Sequence, residues 1–246
     1  MNRFLDILKN GKRKIAILID PEKTKEQDQI DALAEKVNIL KPTFLFVGGS
    51  TVTKDDLHKC IDNLKAKTDI PIILFPGSHQ QISENADGIL FLSLISGRNP
   101  DFLIGHQVES AHLLKEMDLE IIPTGYVLID GGKPTAVNYI SQTTPIPADQ
   151  LQIASQTSIA GEMLGLKTIF LDAGSGAQQT VSKEMISAVR SAISVPLIIG
   201  GGIKSITDID YAFEAGADLV VIGNQVEADI DFLLDIKTHL NQHFVD

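Results

Sequence analysis

Phe170-Leu171-Asp172-Ala173-Gly174-Ser175-Gly176-Ala177, Ile198-Ile199-Gly200-Gly201-Gly202 and Val220-Val221-Ile222-Gly223-Asn224 are three apolar runs that each end in glycine. The stretches between them have the length and amphipathic spacing of helices, so each run reads as a strand, a turn and then a helix. Glycine lets backbone amides approach an oxyanion with no Cβ in the way. Three such turns at the carboxyl ends of successive parallel strands make a phosphate cradle, and they point to a small phosphorylated substrate.

The same alternation extends to the start of the chain. Strands are expected over 15–20, 44–49, 70–76, 88–94, 120–129, 167–172, 195–200 and 217–223. Helices are expected over 26–40, 54–67, 101–117, 148–164, 183–193, 206–215 and 227–243, with a short helical stub over 79–86 and a long loop over 131–147. The strands are apolar at consecutive positions, as strands buried on both faces are. Eight β/α units in 246 residues match the count and length of one (β/α)8 TIM barrel, a single α/β domain over 1–246. A doubly wound open sheet also alternates, but its glycine-rich turn usually follows the first strand. Here the glycines follow strands six, seven and eight, and barrels place phosphate sites after the seventh and eighth.

Composition bounds the partners. A net charge of −11 argues against the basic face that a nucleic-acid partner needs. A local cradle still accommodates an anion. The single cysteine, Cys60, precludes a disulfide framework within the chain and fits a reducing cytoplasm. The segment Met1-Asn2-Arg3-Phe4-Leu5-Asp6-Ile7-Leu8 is too short and too charged for a signal peptide. No apolar run reaches the roughly 18 residues of a spanning helix.

In a barrel all eight carboxyl strand ends face one mouth. The first strand delivers Asp20-Pro21-Glu22-Lys23, the second Gly48-Gly49-Ser50 and the third Phe75-Pro76-Gly77. The fourth delivers Ser93 and the loop Ser96-Gly97-Arg98-Asn99; the fifth delivers Thr124-Gly125-Tyr126, with Asp130 beyond. A carboxylate that ends an apolar strand is costly unless it faces a mouth or a cation. Asp20 with Ser50 offers the few hard oxygens with which magnesium is usually held, although Asp20 would serve equally as a helix cap. Lys23 and Arg98 are candidate phosphate contacts or solvated loop charges. Asp172 lies beside the first glycine turn, where a carboxylate orients a hydroxyl, takes its proton or caps a helix. His239 and His243 have a metal-binding spacing but no third ligand in sequence, so they read as surface residues. Cys60 reads as a packing residue. The helix over 148–164 has few charges, a weak hint of a subunit contact.

Other runs complete the pattern: Val47-Gly48-Gly49-Ser50, Ile89-Leu90-Phe91-Leu92-Ser93-Leu94-Ile95-Ser96-Gly97-Arg98-Asn99-Pro100 and Ile122-Pro123-Thr124-Gly125-Tyr126-Val127-Leu128-Ile129-Asp130. In this order, and together with the glycine turns, they resemble the geranylgeranylglyceryl phosphate synthases, prenyltransferases of the (β/α)8 class, and their bacterial relatives. The resemblance spans nearly the whole chain. It implies that the 3-hydroxyl of sn-glycerol 1-phosphate attacks C1 of a polyprenyl diphosphate, releasing diphosphate and forming an ether. It further implies that Phe170, Leu171, Asp172, Ala173, Gly174, Ser175, Gly176, Gly201, Gly202, Gly223 and Asn224 bind the glycerol phosphate. Asp172 would be the catalytic carboxylate, and Asp20 and Ser50 would hold Mg2+ against the departing diphosphate. The family's usual Tyr-Leu-Glu is here Phe170-Leu171-Asp172, which keeps the charge on a shorter side chain and loses a hydroxyl.

The resemblance favours geranylgeranyl diphosphate, with a longer donor of the heptaprenyl type as the alternative. It also implies a cytoplasmic homo-oligomer, a dimer or hexamer, with peripheral membrane contact and no nucleic-acid partner. A sugar-phosphate isomerase or epimerase would need an acid and a base across one carbon. A non-catalytic barrel that senses glycerol phosphate would not need the Asp20 and Ser50 pair.

Overall fold

The computed structural model describes residues 4–10 and 13–243. Eight parallel strands close into a barrel in chain order: β1 Lys14–Ile19, β2 Phe44–Val47, β3 Ile72–Leu74, β4 Gly88–Leu94, β5 Glu120–Leu128, β6 Thr168–Asp172, β7 Leu197–Gly200 and β8 Leu219–Ile222. Closure is made by β8 against β1, with Ile15 opposite Val220.

Side chains alternate across each strand, so one parity points into the barrel and the other toward the helices. Ala16, Phe44, Phe46, Ile73, Phe170 and Ile198 belong to the interior cluster. Ile17, Leu45, Ile72, Leu171 and Ile199 belong to the larger cluster shared with the helices. Both faces are buried, which is why the strands are apolar at consecutive positions.

The amino end of the barrel is shut by α1 (Phe4–Lys9), an element not anticipated from sequence. Phe4 and Leu8 are four apart and so share a face. Both are buried in the interior cluster, and the Phe4 ring lies 4.5 Å from that of Phe44. The Phe4 N–H donates to Glu120 Oε2 at 2.7 Å, and Lys14 Nζ donates to the Leu8 carbonyl at 3.3 Å.

The outer layer comprises α2 (Gln27–Leu40), α3 (Lys54–Lys65), α4 (His106–Glu116), α5 (Ala136–Ser141), α6 (Leu151–Met163), α7 (Lys183–Ala192), α8 (Ile206–Glu214), α9 (Asn224–Ala228) and α10 (Phe232–His243). It departs from expectation in four places. The segment 79–86 forms turns and no helix. There the buried Gln81 replaces a helical ladder: its Oε1 accepts from the Gly77 N–H at 2.8 Å, and its Nε2 donates to the carbonyls of Gly49 and Val52. The loop 131–147 contains α5, started by a reciprocal capping box between Thr135 and Asn138. The fourth helix begins as a π-helical turn, Asp101–Gly105. The last helix is split in two, because Asp229 Oδ1 accepts from the Asp231 N–H and turns the chain.

Candidate active site

The carboxyl ends of the strands surround a cavity of about 450 Å³ at the end opposite α1. Asp172 and Asp20 face it from different sides of the barrel, and Glu22 and Glu227 line it beside Asp20.

On the glycine side, Asp172 ends β6 with inward parity, directly beyond Phe170. It is 6% exposed. Its Oδ1 accepts from the Gly174 N–H at 2.8 Å, and the Tyr126 hydroxyl donates to Oδ2. Burial pushes the Asp172 carboxyl above the usual carboxylate range, and these two hydrogen bonds offset part of that rise. Burial, then the charge of Asp172, holds the Tyr126 phenol well above its ordinary value, so Tyr126 stays a donor. Gly201 has φ +77°, and a Cβ there would lie 2.4 Å from Asp172 Oδ1 and 2.6 Å from the Gly174 nitrogen. The second glycine turn is therefore packed against the acid of the first.

Asn224, the first residue of α9, closes the cradle. Its Oδ1 accepts from the Gly176 N–H at 2.7 Å and from the Ser175 hydroxyl at 3.0 Å. Two cations border the cradle. Lys204 lines the cavity just beyond Gly202, and Lys133 Nζ lies 4.0 Å from where a Cβ on Gly176 would stand. Phe170, Gly200, Gly201, Gly202, Ser175, Gly176, Gly223 and Asn224 also line the cavity, whereas Leu171, Ala173 and Gly174 do not. Leu171 and Ala173 have the opposite parity and pack toward the helices. Gly174 contributes the N–H that fixes Asp172.

On the other side, Asp20 follows β1. Its Oδ1 accepts from the Glu22 N–H at 3.0 Å. Its Oδ2 is 3.8 Å from Lys23 Nζ, which bonds more closely to Glu227 at 2.7 Å. Burial again pushes the carboxyl up, offset by the Glu22 N–H and by Lys23. Gly49 permits the close approach of the second loop, since its Cβ would stand 3.1 Å from Asp20 Oδ1. Ser50 lines the same wall. The Thr51 hydroxyl donates to Glu22 Oε2 at 2.7 Å and ties the two loops together.

Between the two sides, in the place where the third helix is absent, the cavity has a largely apolar trough. Ile82, from the turns after β3, Phe102, from the π-helical turn, and Ile89 and Phe91 of β4 line it. His79, His106, Gln107 and Ser110 are the polar residues of the same stretch. Val137 and Ile140 of α5 also line the cavity.

Several expected groups lie elsewhere. Arg98 does not line the mouth; it sits in a separate surface depression and donates to the Gly97 carbonyl. The Ser93 hydroxyl is taken by the Leu103 carbonyl, and Thr124 is fully buried and donates to the Ile122 carbonyl. Cys60 is buried, and burial pushes its thiol up to about 11, as befits a packing residue. His239 pairs with Asp210 at 3.0 Å, and the side chain of His243 lies outside the described residues. Sequence reasoning missed the Tyr126 contact with Asp172 and the two lysines. Inward parity on β5, counted from Ile122, was the available signal for Tyr126.

Residues 7–239 match the model of the PcrB family. The geranylgeranylglyceryl phosphate synthase of Chitinophaga pinensis is 48% identical over 235 residues, covering 96% of this chain and 93% of that one. The synthase of the same name from Pyrococcus abyssi is 38% identical, covering 90% of this chain and 87% of that one. The crystal structure of (S)-3-O-geranylgeranylglyceryl phosphate synthase from Thermoplasma acidophilum, in complex with its substrate sn-glycerol-1-phosphate, matches with a TM-score of 0.90 at 30% identity and covers 98% of each chain. With the family model covering all but the ends and relatives aligned along nearly the full length, the chain belongs to the PcrB family.

Proposed function

We propose that this protein transfers a geranylgeranyl group from its diphosphate to the 3-hydroxyl of sn-glycerol 1-phosphate. The bond from C1 to the diphosphate oxygen breaks, the bond from C1 to the glycerol oxygen forms, and the hydroxyl proton passes to a carboxylate. The observation that carries this reading is one cavity that holds a buried carboxylate beside a glycine cradle, a second carboxylate across the mouth, and a largely apolar trough between them. An isomerase of small sugar phosphates has no use for the trough.

The glycine turns after β6, β7 and β8 receive the phosphate of the acceptor, with Lys204 and Lys133 as flanking charge. To bind there, the phosphate competes with Asn224 for the Gly176 N–H. Asp172 orients the 3-hydroxyl and takes its proton, and its raised affinity for a proton suits that task. Tyr126 positions Asp172. The trough holds the prenyl tail and fixes C1 in line with the hydroxyl. The residues on the Asp20 side fit a magnesium ion: Asp20 Oδ2 has no hydrogen-bond partner among the described residues, with Lys23 Nζ 3.8 Å away, and it lines the cavity with Ser50, a set of hard oxygen donors. Mg2+ bound there would offset the charge that develops on the departing diphosphate.

No helix among the described residues is long and apolar enough to cross a membrane. Ile104 and Val108 are exposed on the element that walls the trough, which suits peripheral contact with a lipid surface. Ile153, Met163 and Leu164 are exposed on and just after α6, which suits a homo-oligomer. The functional test is incubation with labelled sn-glycerol 1-phosphate, Mg2+ and geranylgeranyl or heptaprenyl diphosphate. A lipid-extractable ether, formed faster from geranylgeranyl diphosphate, is expected. Bound glycerol phosphate with no product from either donor would instead support a sensor.

A further inference from the structure

Three side chains apart from Asp20 and Asp172 converge on the trough. His79 comes from the turns after β3, while His106 and Glu109 lie three apart on α4 and share one face of it. One ligand atom from each lies within 4.8 Å of the other two. His79 Nδ1 stands 2.8 Å from Glu109 Oε2, and the His79 and His106 rings are 5.4 Å apart. The Phe102 ring, 4.6 Å from His106, supports that imidazole. His79 Nδ1 is shut off from solvent, yet it makes no hydrogen bond. Its 2.8 Å approach to Glu109 Oε2 is thus a close contact of two ligand atoms that does not count as a hydrogen bond.

We propose that His79, His106 and Glu109 form a binding site for a divalent transition ion, with zinc as the best chemical match. Two imidazoles and a carboxylate are a zinc donor set with bonds of about 2.0–2.2 Å. Two such bonds at the tetrahedral angle bring ligand atoms to about 3.4 Å apart, a separation within the 4.8 Å that bounds this cluster. Magnesium favours oxygen ligands and is a poor occupant of an imidazole site. The site is thus chemically distinct from the one at Asp20. Three protein ligands leave room for a fourth on the cavity side, which His79 and His106 both line. An ion held there ties the turns after β3 to α4, across the gap that a third helix would have filled.

Co2+ titration of chelator-treated protein tests the site through the visible absorption of the bound ion. One Co2+ per chain is expected, displaced by Zn2+ and retained in excess Mg2+. His79→Ala, His106→Ala and Glu109→Gln should each weaken binding by more than the roughly 10–100-fold that loss of a supporting partner costs. Glu109 is exposed, so Glu109→Gln keeps the fold and carries the test by itself. His112→Asn, on the same helix and paired with Glu116, should leave binding unchanged. No absorption at stoichiometric Co2+, unaltered binding in the three variants, or loss of binding in His112→Asn would overturn the assignment. The readout is independent of prenyl transfer.

Discussion

The two ends of this barrel are built from the same strands and have opposite characters. At the amino end, α1 inserts Phe4 against Phe44 and Phe46, and the contacts are hydrocarbon. At the carboxyl end, the inward column on β6 runs from Thr168 through Phe170 to Asp172, from a satisfied hydroxyl through an aromatic ring to a buried acid. Burial raises the proton affinity of Asp20 and Asp172, so the charged form of each is held at a cost to the fold. Mutations at the two ends should therefore separate stability from turnover.

Phe4→Ala tests the sealed end and should have the largest effect. It should destabilise the fold by about 3–5 kcal/mol, the usual result of emptying an aromatic site in a core. A denaturant midpoint reads this, with KM for both substrates unchanged in the protein that remains folded. At the open end, Asp20→Asn should lower kcat by about 100-fold or more while leaving the melting temperature at or above that of the parent. Added Mg2+ should not rescue it. Gly201→Ala crosses the boundary. Its positive φ and the crowding against Asp172 should cost about 1–3 kcal/mol and raise KM for glycerol phosphate more than for the prenyl donor. Tyr126→Phe is the mildest. It removes a hydrogen bond that favours the ionised form of Asp172, so the acid limb of the kcat/KM profile should move to higher pH.

Most of the architecture is legible in the sequence, because eight apolar runs separated by amphipathic stretches leave a closed parallel sheet as the arrangement that buries them all. The glycine turns are legible for the same reason, since each ends such a run. The turns over 79–86 were not, because Gln81 holds them through bonds to Gly49, Val52 and Gly77 that are distant or local in ways no periodicity records. The α1 plug was missed because one face with Phe4 and Leu8 is too short to stand out until Phe44 and Phe46 are placed beneath it. Within the site, strand parity could have separated Asp172 and Phe170 from Leu171 and could have pointed Tyr126 inward. The trough was not legible, because it is defined by a helix that does not form.

The contrast between the two ends is tested most directly by Asp172→Asn, followed by both melting temperature and turnover. The folded-state proton affinity of Asp172 is raised, so its contribution to stability is present at low pH and is lost as pH rises through the folded pKa. At neutral pH the variant, which carries no charge there, should melt above the parent, with the difference shrinking in acid. Its kcat should fall by about 10-fold to 100-fold with glycerol phosphate still bound. A variant that melts lower than the parent at neutral pH and turns over at the parental rate would contradict the assignment of Asp172 as the acid that the mouth holds for chemistry.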